Sequence, residues 1–128
     1  MNNGFIIGCG GIAEKYPFFM QIYADVTGQT LEVSRSGQTC ALGAAIFGAV
    51  VAGPEAGGYA DAEAAQDRMT GVKDVVYRPD AESHAAYAEL YELYKALHDS
   101  FGIAGTRQDI SGVMKKLLEM KQRATPAE

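Results

Sequence analysis

Two short strand-like runs sit either side of one helical stretch, and that order constrains this chain more than anything else in it. Phe5-Ile6-Ile7-Gly8-Cys9 is an apolar run that ends in Gly10-Gly11, the pattern of a buried strand followed by a tight turn. Thr30-Leu31-Glu32-Val33-Ser34-Arg35 alternates polar and apolar, the pattern of a strand with one buried face. Between them Pro17 can open a helix, because its missing N–H costs nothing in the first turn. Phe18, Ile22 and Val26 fall at helical spacing, and Gly28 can end that helix. A third apolar stretch follows from about Cys40 to Ala52, and Gly53-Pro54 stops it. Strand, glycine turn, helix, strand and helix in that order predict an α/β fold with parallel strands joined by helical crossovers.

The predicted sheet is incomplete. Two parallel strands alone leave both edges unpaired and much apolar surface bare. The remaining strands are therefore expected on another segment of the chain or on a partner. The helix predicted over Cys40–Ala52 is rich in Ala and Gly, which lets a helix approach a sheet or another helix closely, with Ser36 or Thr39 as its cap. Residues 1–53 thus form an α/β half, and residues 54–128 a linker and C-terminal helices packed on it as one compact unit.

In that second part, Pro54 to Tyr59 reads as a glycine-rich linker, and Asp61 to Met69 as a short helix capped by Asp61. Val75-Val76-Tyr77 reads as a short extended segment. A long helix is expected from about Ala81 to Phe101, with an apolar stripe of Tyr87, Leu90, Tyr91, Tyr94, Leu97 and Phe101. Thr106-Arg107-Gln108-Asp109 has the form of a capping box ahead of a last helix that carries Ile110, Val113, Met114, Leu117 and Leu118.

Charge and cysteine usage remove several function classes. With 128 residues and a net charge of −5, the chain suits one acidic domain and lacks the clustered cations that nucleic-acid binding needs. The spacing of Cys9 and Cys40 fits neither a zinc site nor a disulfide scaffold, so both are expected as reduced, buried thiols. Met1-Asn2-Asn3-Gly4 lacks the basic start and apolar core of a signal peptide. The longest apolar stretch, Ala41 to Ala52, is far short of the roughly 20 residues of a membrane span. A cytoplasmic protein with no membrane or nucleic-acid partner is expected.

Chemistry-bearing residues are sparse. No carboxylate pair is spaced for acid/base work, no catalytic residue stands out, and no metal-ligating pattern appears. Asp25, a possible cap or ligand, reads first as solvated, and Tyr87, Tyr91, Tyr94 and His98 read as core or helix–helix contact rather than a stacking surface. The best candidate is Cys9-Gly10-Gly11-Ile12-Ala13. Two glycines after a strand leave no Cβ in the way of a flat purine or a phosphate, and a helix start nearby could add its N–H groups. Taken alone, such a pair is more often a plain turn, and it is neither a Walker A loop nor a dinucleotide fingerprint.

The wider pattern adds more. Cys-Gly-Gly-Ile-Ala-Glu-Lys at 9–15, Met-Gln-Ile-Tyr-Ala-Asp-Val-Thr-Gly at 20–28 and Gln-Thr-Cys-Ala-Leu-Gly-Ala-Ala-Ile-Phe-Gly-Ala-Val at 38–50 resemble the C-terminal domain of FGGY-family carbohydrate kinases. Gln38-Thr39-Cys40 ahead of Ala-Leu-Gly, and the run 90–102, are most similar to its L-ribulokinase branch. The resemblance implies an incomplete ribonuclease-H-like, actin-like ATPase domain, with ATP and Mg2+ as cofactors. Gly10, Gly11, Ala13, Lys15 and Tyr16 would meet the nucleotide. Family members often carry Ser or Asn near the base where this chain has Lys15 or Tyr16, and Tyr16 departs from that pattern. The aspartate base and the sugar pocket of such kinases precede the stretch seen here. The resemblance therefore implies a C-terminal fragment, inactive alone, of a kinase that phosphorylates L-ribulose in arabinose catabolism. A kinase of another pentulose, or a non-catalytic nucleotide-binding or assembly module, are the alternatives. The bare strand edges point to a homo-oligomer.

Overall fold

The computed structural model describes residues 5–106 and 108–125; the Met1–Gly4 stretch and Arg107 of the sequence reading lie outside them. The elements are β1 (Phe5–Gly8), α1 (Gly10–Lys15), α2 (Pro17–Thr27), β2 (Thr30–Ser34), α3 (Thr39–Ala52), α4 (Ala62–Met69), β3 (Val72–Tyr77), α5 (Ala81–Gly102) and α6 (Val113–Ala124). The chain divides into two compact units, residues 1–80 and 81–128.

The first unit is a mixed α/β layer around a three-stranded sheet in the order β1-β2-β3. β1 and β2 are parallel, with Phe5 opposite Thr30 and Gly8 opposite Val33, as their helical crossover requires. β3 corrects the expectation of parallel strands only. It runs antiparallel to β2, with Leu31 opposite Tyr77 and Ser34 opposite Val72, and a register shift between Glu32 and Ser34. One edge of β2 is thereby covered from within the chain, and the extended segment starts at Val72 rather than Val75.

The core lies between β2 and the helices that precede it. Leu31 and Val33 alternate inward from β2, where they meet Ala13 of α1 and Met20 and Ala24 of α2, with Tyr77 packed alongside. Each large apolar side chain buried this way contributes roughly 1.5–3 kcal/mol. Gly8 belongs to this packing: a Cβ there would lie 2.6 Å from Met20 Cε. Gly28 closes α2 in the left-handed region at φ 65°, its N–H donating to Ala24 O. Asp61 caps α4 by accepting the Ala64 N–H at 2.8 Å.

α3 differs from its expected role. It is apolar around its whole circumference, yet only Ile46 is buried, and Cβ atoms added at Gly43 or Gly48 would meet nothing within 4 Å. The glycines of α3 thus make no close approach among the described residues, although Gly58 comes close against the Ala49 carbonyl at its end. Neither Ser36 nor Thr39 caps it; Gln38 occupies the cap position without a side-chain bond, and Ser36 Oγ instead accepts the Gln38 N–H. Cys9 and Cys40 are free but exposed, not buried; Cys9 lies between β1 and α1, and Cys40 in the first turn of α3.

In the second unit, Leu93 is the buried residue of α5, while Tyr91 and Tyr94 are each 60% exposed and stack on one another at 6.3 Å. The aromatic stripe is therefore not core. α6 begins at Val113, after Gly112, without a side-chain cap, so the expected capping box does not form. Asp109 instead accepts the Ser111 N–H at 2.9 Å, and its hydrogen bonds to Ser111 hold that carboxyl below its ordinary range. Arg123 grips both carboxylate oxygens of Glu89, at 3.0 and 2.8 Å.

Candidate functional site

In open α/β sheets the carboxyl ends of parallel strands leave a crevice where the following loops diverge, and ligands bind there. Here those ends are Gly8 of β1 and Ser34 of β2, side by side in the parallel ladder. Because β3 is antiparallel, its start at Val72 lies opposite Ser34, at the same end of the sheet. Three segments therefore meet at this edge: Cys9 to Tyr16, Arg35 to Gln38, and the beginning of β3.

After β1, Cys9 stays extended and Gly10 turns the chain at φ 84°. A residue with a side chain is strained in that region, so Gly10 is required by the turn itself. Gly11 is required by neither conformation nor packing. A Cβ at Gly10 or Gly11 would meet no atom within 4 Å, so the pair presents bare backbone to open space. The helix that follows, α1, has only six residues, so its dipole adds little to any field on a phosphate.

The other predicted contacts separate. Ala13 turns into the core, 6% exposed. It also borders an apolar cavity of about 360 Å³ lined by Ile6, Gly8, Cys9, Ile12, Met20 and Leu31 among others. Lys15 is exposed at the end of α1. Tyr16 is exposed between α1 and α2 and meets Phe19 edge-on at 6.1 Å. A second cavity of about 370 Å³ lies against Ile7, Ser34, Leu42 and Ile46. Since Ile6 and Ile7 face opposite ways along β1, helices flank both faces of the sheet.

Sequence reasoning missed four residues at this edge. Glu14, on α1, receives Lys73 Nζ from β3 at 2.9 Å. That hydrogen bond and the lysine's charge hold the Glu14 carboxyl below the ordinary glutamate range. Gly37 comes so near that a Cβ there would lie 2.7 Å from Glu14 Oε2. Arg35 closes the joint to β3, its N–H donating to Gly71 O at 2.8 Å and its Nη2 to Thr70 O at 2.9 Å. No local signal marks Glu14 or Lys73, because their meeting depends on the direction of β3.

Asp25 corrects a further expectation. It is 6% exposed rather than solvated, and its Oδ1 accepts from Gln21 Nε2 and from the Asp80 N–H, both at 2.8 Å. With Gln21 Nε2 also donating to Arg78 O, it ties α2 to the chain that leaves β3. His98 Nδ1 lies 3.0 Å from its neighbour Asp99 and is exposed. Among the described residues, no group of three or more His, Cys, Asp or Glu is placed to hold a metal ion, and no helix is long and apolar enough to cross a membrane.

Comparison with known proteins fits this edge into a larger frame. Residues 5–52 match the profile of the C-terminal domain of the FGGY family of carbohydrate kinases. The chain is 46% identical over 116 residues to a ribulokinase of Bacillus licheniformis, covering 91% of this chain and 20% of that protein. It is 44% identical over 116 residues to a ribulokinase of Halalkalibacterium halodurans, with the same coverage of each. It is 41% identical over 123 residues to one of Geobacillus thermodenitrificans, covering 96% of this chain and 21% of that protein. The chain thus spans about a fifth of the length of the curated relatives it matches. The matched domain begins at the first residue of β1 and ends with the last residue of α3, so this α/β stretch belongs to the C-terminal domain of the FGGY family of carbohydrate kinases.

Proposed function

We propose that this chain forms one wall of the nucleotide cleft of an ATP-dependent sugar kinase whose full-length form is a ribulokinase. The observation that carries the proposal is the bare backbone of Gly10-Gly11 at the carboxyl edge of the parallel strands. Gly11 has no structural need to be glycine, and a flat base or a phosphate lying against it supplies one. Gly10 and Gly11 are the main contacts, with Lys15 and Tyr16 at the rim. Ala13 acts from beneath, by seating α1 on the core. The parent reaction is transfer of the γ-phosphate of ATP to the terminal hydroxyl of L-ribulose, or of a related ketopentose, in the cytoplasm. The sheet is read as part of a ribonuclease-H-like domain, for which the parallel pair and the antiparallel β3 supply three strands.

Such a transfer is mostly positioning and charge neutralisation. This chain's share is to hold the nucleotide by its main chain and exclude water from one side. Mg2+, carried by the nucleotide, would supply charge neutralisation on the phosphates. The base that orients the sugar hydroxyl and the sugar pocket lie elsewhere, and the chain alone transfers no phosphate. ATP-dependent phosphorylation of L-ribulose by the isolated chain would refute that statement. NMR titration with ATP tests the wall itself: amide shifts centred on Gly10 and Gly11 support it, and shifts elsewhere alone reject it.

A second reading, an assembly module, is favoured by the exposed apolar side chains. Phe18 is 73%, Phe47 70% and Val51 88% exposed. On this reading the chain self-associates, and a sharp monomer boundary in sedimentation at micromolar concentration counts against it.

A further inference from the structure

The Glu14–Lys73 pair is not absorbed by the reading above. We propose that Lys73 is a phosphate-binding residue of the nucleotide site, parked on Glu14 until the nucleotide arrives. The proposal rests on Gly10-Gly11 being the nucleotide wall and adds a side chain to it.

Placement is the first argument. Glu14 follows Gly11 by three residues in α1, so the two share a helix face about one 5.4 Å turn apart. Lys73 Nζ, 2.9 Å from Glu14 Oε1, is thus held on the face of α1 that carries Gly11. A four-carbon stem gives the ammonium freedom to swing along that face without moving β3.

The second argument is that the pair is not needed for the fold. The joint between β2 and the start of β3 is already closed by the Arg35 N–H on Gly71 O and by Arg35 Nη2 on Thr70 O. The Lys73 and Glu14 side chains are 34% and 43% exposed, and surface pairs this open contribute little to stability. Breaking the pair costs little. A polyphosphate offers several anionic oxygens in place of one carboxylate, with stronger charge-assisted hydrogen bonds. Glu14 is the less mobile partner, because the Gly37 backbone stands directly against its Oε2.

The experiment titrates ATP, ADP and adenosine into the 128-residue chain, following backbone amide and lysine Nζ signals by NMR. Lys73→Met is expected to weaken ATP and ADP tenfold or more and leave adenosine unchanged. Glu14→Gln is expected to strengthen ATP severalfold, because the competing carboxylate is gone. If the parent chain binds ATP and Lys73→Met binds it equally well, the role of Lys73 fails while the glycine wall stands. Equal weakening of adenosine and ATP by both variants also overturns it, since the pair would then serve only to seat α1. If neither adenosine nor ATP shifts Gly10 and Gly11 in the parent chain, the wall fails, and Lys73 with it.

Discussion

Gly11→Ala separates what the fold needs from what a ligand needs. At Gly11 the backbone is not in the left-handed region, and an added Cβ meets nothing within 4 Å. Alanine therefore introduces neither strain nor clash, and it lowers the entropy of the unfolded chain. The expected effect is a gain of about 0.5–1 kcal/mol. For a unit of residues 1–80 that corresponds to a rise of about 2–8 °C in Tm. On the proposed wall the same methyl group stands where the nucleotide would lie, and overfilling a close contact costs about 1–3 kcal/mol, a loss of roughly 5- to 150-fold in affinity. Gly10→Ala provides the contrast: at φ 84° it loses about 1–2 kcal/mol of stability from backbone strain alone. Thermal melts and ATP titrations of the two variants are the assay. A Gly11→Ala chain that is stabilised and binds ATP as well as the parent refutes the reasoning, because the glycine would then serve neither fold nor ligand.

Three other perturbations test the surrounding structure. Gly58→Ala places a Cβ on the Ala49 carbonyl, which also accepts the Tyr59 N–H; the backbone must shift, and the denaturation midpoint should fall by the equivalent of about 1–3 kcal/mol or more. Asp25→Ala removes the acceptor of Gln21 Nε2 and of the Asp80 N–H; a loss of about 1–3 kcal/mol is expected, with faster hydrogen exchange at the Asp80 amide. Glu14 has a carboxyl held below its ordinary range by Lys73, so the pair is intact above the ordinary glutamate range and is lost as pH falls through the depressed value. The Lys73 Nζ signal should therefore move toward that of a free lysine only below the usual titration range of glutamate, and a midpoint at or above that range contradicts the pairing.

What could be read from the sequence was whatever neighbouring residues decide. The alternation of Thr30 to Ser34 reappears as Leu31 and Val33 buried among half-exposed neighbours. Pro17 and Gly28 bound α2 as their backbone preferences dictate, and Asp61 caps α4. The direction of β3 was not legible, because a strand's own residues do not say whether its partner runs with it or against it. Everything that hangs on that direction was hidden too. Lys73 meets Glu14 across 59 residues of chain, and Asp25 is buried by the segment that leaves β3. Burial of Cys9, Cys40 and the tyrosines of α5 was misjudged for a related reason. A helical stripe or a small-residue context tells which face is apolar, not whether this chain supplies anything to cover it.

The bare apolar surface and the incomplete site have the same origin. A helix that is apolar all round belongs in an interior, yet α3 buries only Ile46 here. A strand apolar on both faces belongs inside a sheet covered on both sides, yet Phe5, Ile6 and Ile7 of β1 are all exposed. Both elements fall within residues 5–52, the stretch that matches the family domain, in a chain a fifth as long as its relatives. The carboxyl edge between these two elements is therefore exposed in the same sense that they are. On the reading proposed above, Gly10, Gly11 and Lys73 line one side of the nucleotide crevice. A nucleotide held only from that side is gripped through backbone and one cation, with nothing here to orient a sugar hydroxyl toward its γ-phosphate. On that reading, weak binding without turnover is what such a half-site would do. Pairing it with the rest of a kinase would complete the crevice and cover the apolar faces in one step.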